Sequence, residues 1–199
     1  MKVAVCAIAK CENPYIREWV DYHTGIGFDH IYIYDNNDVN GERCKDVVGN
    51  DPRVSVIEKY IGKKQVDCNL QIAAYNDFYM RIGHIYDWVI YLDIDEFLVI
   101  RNGSSVKEYI ANICSGKGRV EGIQFNWVCY GDSGKLKYSD KPVRERFTKL
   151  SLDEESSRYK KLMYRTKLEG FCMENVHYSN VINPIIDVAK LRKKRNKKK

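Results

Sequence analysis

No run of this sequence is apolar over the roughly 18 residues that a membrane-spanning helix needs, so no transmembrane segment is expected. A regular cysteine framework is also missing. The seven cysteines are odd in number, and Cys6 and Cys11 are not spaced like a zinc knuckle. A secreted disulfide scaffold is therefore disfavoured, and the thiols are expected to be reduced and mostly buried in a cytoplasmic protein. A leader peptide is not evident either. Val3 to Ala9 is apolar but short, and Lys10, Glu12 and Arg17 follow it closely, which suits a buried first strand better. There is no internal repeat and no proline- or serine-rich linker.

Positive charge is scarcer than the net +6 suggests, because eight of the 33 basic residues lie between Lys190 and Lys199. Without them the body holds 25 basic against 27 acidic residues, a net −2. A nucleic-acid binder working through its body is thereby disfavoured, since phosphate backbones call for a basic face. Residues 1–189 are expected to form one domain, and 190–199 a self-repelling, disordered tail. Each tail cation would contribute about 1 kcal/mol beside an anionic membrane. Two readings of the tail therefore stand side by side: peripheral contact at the inner membrane face, and a solvated end with no role. An apolar fraction of 44% in 199 residues is enough for a real core.

Strand and helix patterns alternate through the first half. Val3–Ala9 is a continuous apolar run, as a strand buried on both faces requires. Asn13-Pro14 predicts a helix start, with Asn13 capping the free amides and Ile16, Trp19, Val20 and His23 at helical spacing. His30–Asp35 reads as a second strand, a short helix follows near Asp46, and Arg53–Glu58 is a third strand. Gln65–Arg81 is helical in pattern and Trp88–Leu92 is a fourth strand. Ser104–Ile113 is a helix, Gly122–Val128 a strand and Leu162–Lys167 one more. This alternation predicts an α/β fold with a mostly parallel sheet and helices on both faces. In such sheets ligands bind at the carboxyl ends of the strands. The polar clusters lie there, at Lys10–Asn13, Asp35–Asp38 and Asp93–Glu96.

Asp93, Asp95 and Glu96 carry the strongest chemical signal. On an extended segment, residues two apart project to one side, so Asp93 and Asp95 are expected to face one site. Two such carboxylates repel, and partial burial worsens the repulsion. A divalent cation relieves it. Mg²⁺ or Mn²⁺ takes oxygen ligands and completes its shell with water and phosphates. A bare Asp-x-Asp is common as a pair of solvated acids. Here an apolar strand precedes it, and Glu96 and the apolar Phe97–Ile100 follow. Aspartyl phosphotransferases of the haloacid dehalogenase type also carry Asp-x-Asp, but near the first strand and without Glu-Phe after it.

The blocks Val3–Trp19, His30–Asn36 and Trp88–Phe97 resemble, in order and spacing, glycosyltransferases of the GT-A fold, in the family 2-like and family 92-like group. Trp127–Gly134 and His177-Tyr178 are similar to later blocks of that group. The resemblance implies a Rossmann-like GT-A domain, a nucleotide-diphosphate sugar donor (commonly a UDP-sugar), and Mn²⁺ or Mg²⁺ at the diphosphate. It implies donor contacts at Ala9, Glu12, Asp35 and Asp93, and metal ligands at Asp93, Asp95 and His177. The chain has less sequence after Asp-x-Asp than many relatives, in the region where the acceptor, a glycan or glycolipid, binds.

An inverting transferase also needs a base within reach of the acceptor hydroxyl. By position Asp132 comes first, Glu145 second, and Glu96 is a third option. Trp127 and Tyr130 are candidates for an apolar platform under an acceptor sugar, though core packing alone would account for them. Two other classes stay open on sequence grounds: an inactive scaffold of the same fold that binds a partner, and a nucleic-acid binder using the basic tail.

Overall fold

The structure, a computed structural model, describes residues 1–64, 69–100, 104–135, 137, 139–151, 159–175 and 177, with the backbone of 178–179 and 185–187. The chain begins with β1 (Val3–Ala9), α1 (Asn13–Gly25), β2 (His30–Asp35), α2 (Cys44–Val48) and β3 (Val54–Ile57). It continues with α3 (Leu70–Arg81), β4 (Trp88–Tyr91), α4 (Val106–Cys114) and β5 (Gly122–Asn126). The last elements are α5 (Val143–Arg146), β6 (Lys160–Arg165), β7 (Met173–Asn175), β8 (Tyr178–Ser179) and β9 (Ile185–Asp187). Of the helix predicted from Gln65, the first four residues lie outside the described residues, as does the basic tail at 190–199.

Seven strands form the main sheet in the order β3-β2-β1-β4-β6-β5-β9. The pairs β3–β2, β2–β1 and β1–β4 are parallel, β6 runs antiparallel to both neighbours, and β9 is parallel to β5. The fold is therefore α/β with a mostly parallel sheet, a Rossmann-like arrangement of the GT-A type. Period-two alternation sorts the strand side chains into two cores. Val3, Val5, Ala7 and Ala9 face one side, with Ile16, Trp19 and Val20 of α1, Val48 of α2 and Ile110 of α4. Ala4 and Cys6 face the other side, with Ala74, Tyr75 and Phe78 of α3. Helices thus cover both faces, as the continuous apolar runs require.

Several local expectations change. Asn13 does not cap α1. Glu12 occupies the cap position without a side-chain bond, while Asn13 Nδ2 donates to the Arg43 carbonyl at 3.0 Å. Pro14 keeps its place in the first turn. The caps that form are Asn69 on α3, accepting from the amides of Gln71 and Ile72, and Ser105 on α4, in a capping box with Glu108. Of the six described cysteines, all free, only Cys6 and Cys44 are buried, so burial does not hold for most of them. Among the described residues no helix is long and apolar enough to cross a membrane.

Candidate active site

β4 ends at Tyr91, and Asp93–Glu96 is a turn rather than a strand extension. The amide of Glu96 donates to the Asp93 carbonyl at 3.0 Å and closes it. Period-two geometry therefore does not explain how Asp93 and Asp95 reach one site; a tight turn does. Ile94, between them, points into the core as expected.

α1 clamps the backbone of this turn. Trp19 Nε1 donates to the Glu96 carbonyl at 2.8 Å and Tyr22 Oη to the Leu98 carbonyl at 3.0 Å. The Leu98 amide donates to His23 Nε2 at 3.3 Å, and the other ring nitrogen, Nδ1, faces the Trp19 carbonyl at 2.9 Å. A carbonyl only accepts, so Nδ1 carries the proton and the ring is neutral. Burial holds His23 down to about 4, the Trp19 carbonyl opposing and the Arg144 charge assisting.

The carboxylates of the turn are held differently. Asp93 Oδ1 accepts from Gln71 Nε2 on α3, and Oδ2 from Lys161 Nζ on β6 at 2.9 Å. Glu96 Oε2 accepts from the Asp93 amide at 2.9 Å and lies 3.0 Å from the same Lys161 Nζ. Burial works against the Lys161 ammonium, but Glu96 and Asp93 outweigh it and raise its pKa. Burial also lifts the Glu96 carboxyl, with Lys161 opposing and Asp93 adding. Asp95 carries no salt bridge among the described residues. Asp95 is exposed at the cleft, and its carboxyl is raised, first by partial desolvation and then by the Asp93 charge.

An open cleft of about 350 Å³ lies at the carboxyl ends of β1, β2 and β4. Asp93, Asp95, Glu12, Lys10 and Asn36 give its polar wall, and Ile8, Leu70 and Ile94 its apolar one. Gln71 completes it. All three polar clusters picked out by the strand-end rule contribute. Cys11, between Lys10 and Glu12, has a φ of 58°, a left-handed conformation that a non-glycine residue adopts at a cost of about 1–3 kcal/mol. Its amide is fastened to Asn37 Oδ1 at 2.8 Å. Burial raises the Glu12 carboxyl, and the charges of Asp95 and Asp93 add to it.

Glu12, Asp93 and Asp95 are thus brought together, and the other sequence candidates are not. Ala9 is buried at the end of β1. Asp35 is 0% exposed and spends its oxygens on the amides of Asn37 (2.9 Å) and Cys44 (2.8 Å). It shapes the loop from beneath, while Asn36 reaches the cleft. Asp132 is exposed and accepts from the Gly134 amide at 2.7 Å, and Glu145 is exposed on α5. Tyr130 is 52% exposed and bridges to Leu150. His177 and Trp127 are not among the residues lining the cleft; they form an aromatic group with Tyr159 at centroid distances of 5.2–5.3 Å, and the Trp127 ring centre is 5.6 Å from Lys161 Nζ. His177 Nδ1 lies 3.1 Å from the Lys160 carbonyl, which leaves Nε2 as the basic nitrogen. Among the described residues no three His, Cys, Asp or Glu side chains form a group that could hold a metal. Lys161 and Gln71 escaped the sequence reading. Lys161 lies one residue before the predicted strand Leu162–Lys167, and nothing local marked it or Gln71.

Comparison with known proteins agrees with one of the two groups that the sequence blocks resemble. Residues 46–196 match the family model described as glycosyltransferase family 92. Among curated relatives, a family 92 protein of rice (Oryza sativa subsp. japonica) is 27% identical over 147 residues, covering 73% of this chain and 24% of its own length. Family 92 proteins of Ricinus communis and Arabidopsis thaliana are each 24% identical over 89% of this chain and 31% of their own. The chain spans 24–31% of the length of these relatives. With the family model covering most of its residues, the chain belongs to glycosyltransferase family 92.

Proposed function

We propose that the cleft binds a nucleotide-diphosphate sugar, a UDP-sugar first among them, together with Mn²⁺ or Mg²⁺, and serves hexosyl or related transfer to a glycan or lipid-linked acceptor. The observation that carries this reading is the meeting of Glu12, Asp93 and Asp95 at one cleft, where partial desolvation and neighbouring carboxylates raise Glu12 and Asp95. Crowded hard oxygen donors fit a divalent cation, which needs few protein carboxylates when a diphosphate completes its shell.

Asp95 is the carboxylate best placed to hold such an ion, with Asp93 beside it. When bound, the ion supplies charge that stabilises the leaving diphosphate. Glu12 and Asn36 are placed to orient the nucleoside, and Ile8 and Leu70 offer an apolar wall. On the acceptor side, Trp127 has a buried indole N–H with no hydrogen-bond partner among the described residues, a donor that a sugar hydroxyl would satisfy once the ring is uncovered. His177, with Nε2 free to accept, keeps its place as a further metal ligand in this reading. Asp132, Glu145 and Glu96 remain alternative bases, and Glu96 is the one held beside Asp93. Contact of the basic tail with anionic lipid at the cytoplasmic face belongs to the same proposal.

A second reading, a catalytically inactive scaffold, is favoured by the Lys161 ammonium on Asp93 and by the absence of a three-ligand metal group among the described residues. Calorimetric titration of UDP with and without Mn²⁺ separates the two. The enzyme reading expects UDP binding that needs Mn²⁺ and is lost in Asp95→Asn with the fold intact. Undiminished Mn²⁺-dependent binding in that variant would refute the site assignment, and no UDP binding in the parent chain would favour the scaffold.

A further inference from the structure

Lys161 lies on β6, two residues past the last β4–β6 pair, Ile90–Met163. It is 2% exposed in a strand flanked on both sides, by β4 and β5. Its Nζ is 2.9 Å from Asp93 Oδ2, 3.0 Å from Glu96 Oε2 and 5.6 Å from the centre of the Trp127 ring. We propose that Lys161 decides which carboxylates of the acidic turn a divalent cation can reach, by occupying Asp93 and Glu96 and leaving Asp95 open. This rests on the cation-binding reading of the cleft.

The reason is the cost of separating buried charges. An ammonium this deep is tolerated only while paired, and Lys161 has no solvent to turn to. Both Asp93 oxygens are committed, one to Lys161 and one to Gln71. Glu96 Oε2 is shared by Lys161 and the Asp93 amide. A cation at Asp93 would have to compete with Lys161 for Oδ2, or with Gln71 for Oδ1 while facing the ammonium charge. Asp95 makes no such commitment and borders the cleft, with Glu12 on the same wall. One free carboxylate is a weak site for a cation alone and an adequate one once a diphosphate joins it. Lys161 is therefore a positioning residue that makes cation and diphosphate bind together.

The test is Mn²⁺ titration without nucleotide, by calorimetry or by loss of the free-ion electron paramagnetic resonance signal. Lys161→Met keeps the stem and removes the charge. Asp93 and Glu96 are then freed of the ammonium, and removing a unit positive charge this close should tighten Mn²⁺ binding by about tenfold or more, which a merely structural lysine would not produce. Should that variant fail to fold, Lys161→Met combined with Glu96→Gln removes one charge of each sign, still frees Asp93, and should tighten binding likewise. Unchanged or weaker Mn²⁺ binding in the folded variant overturns the proposal. Asp95→Asn distinguishes the two levels. If it loses Mn²⁺ while Lys161→Met does not tighten, the role of Lys161 fails alone; if it keeps Mn²⁺, the reading of the cleft fails first.

Discussion

One face of the sheet is mostly aliphatic; among the described residues its buried rings are Trp19, Trp88, Phe28 and the His23 imidazole. The other face buries eight tyrosines, among them Tyr32, Tyr34, Tyr75 and Tyr91. The aliphatic face spends its buried polar bonds on the acidic turn, through Trp19, Tyr22 and His23. The tyrosine face is threaded by hydroxyl bonds of its own: Tyr32 with Tyr86 at 2.9 Å, Tyr34 to Asp77 at 2.8 Å, and Gln71 to Tyr75 at 2.8 Å. Gln71 then continues to Asp93. The site hangs between the two. Its backbone is fixed from the aliphatic side, and the aim of one carboxylate is fixed from the tyrosine side.

The sharpest way to break this division is to remove one large ring from each face. Trp19→Ala and Phe78→Ala should each cost about 3–5 kcal/mol in urea unfolding. Only Trp19→Ala also releases the Glu96 carbonyl, so Mn²⁺-dependent UDP binding should fall further in it. Equal loss of binding in Phe78→Ala would end the distinction.

The faces should also differ in the direction of their pH sensitivity. His23 has a folded pKa of about 4, below its ordinary 6.5. Between those values the unfolded chain holds more protons, so stability falls as pH drops, by roughly 3 kcal/mol across the window. His23→Gln should lose that part of the acid slope in urea titrations at pH 7 and 4.5. On the other face, burial raises Tyr34 and Tyr86 above the ordinary tyrosine value of 10. There the folded chain holds more protons, so stability is lost as pH rises past 10. Tyr34→Phe should flatten that alkaline slope and leave the acid limb alone.

The smallest expected contrast lies in the caps. Asn69→Ala and Ser105→Ala should each cost about 1 kcal/mol in thermal or urea unfolding. Asn69 fixes the first turn of α3, where Gln71 reaches Asp93, whereas Ser105 starts α4 on the opposite face. Nucleotide binding should therefore weaken in the first variant and hold in the second.

Much of the frame was legible because it is periodic. The continuous apolar runs marked β1 and β4 as strands buried on both faces, and the strand-end rule led to all three loops that line the cleft. Within those loops Asp93 and Asp95 stood out by their spacing, and Glu12 by the family resemblance. The route to the two aspartates was mistaken, since an i to i+3 bond turns the chain where an extended segment was expected. The family resemblance implied a ligand contact at Asp35. The structure buries it and gives its two oxygens to backbone amides, which brace the loop. Loops past Tyr130 lack periodicity, and Asp132, Glu145 and Tyr130 were placed by order in the chain, which says nothing of direction.

The sequence by itself determined which segments pair a buried strand with a covering helix, and therefore which polar loops gather at one end of the sheet. Only the tertiary structure decided that β6 returns antiparallel between β4 and β5 and inserts Lys161 between Asp93 and Glu96. Periodicity reports the face on which a side chain lies. The charge it meets 65 or 68 residues away depends on strand order, which is a property of the assembled sheet.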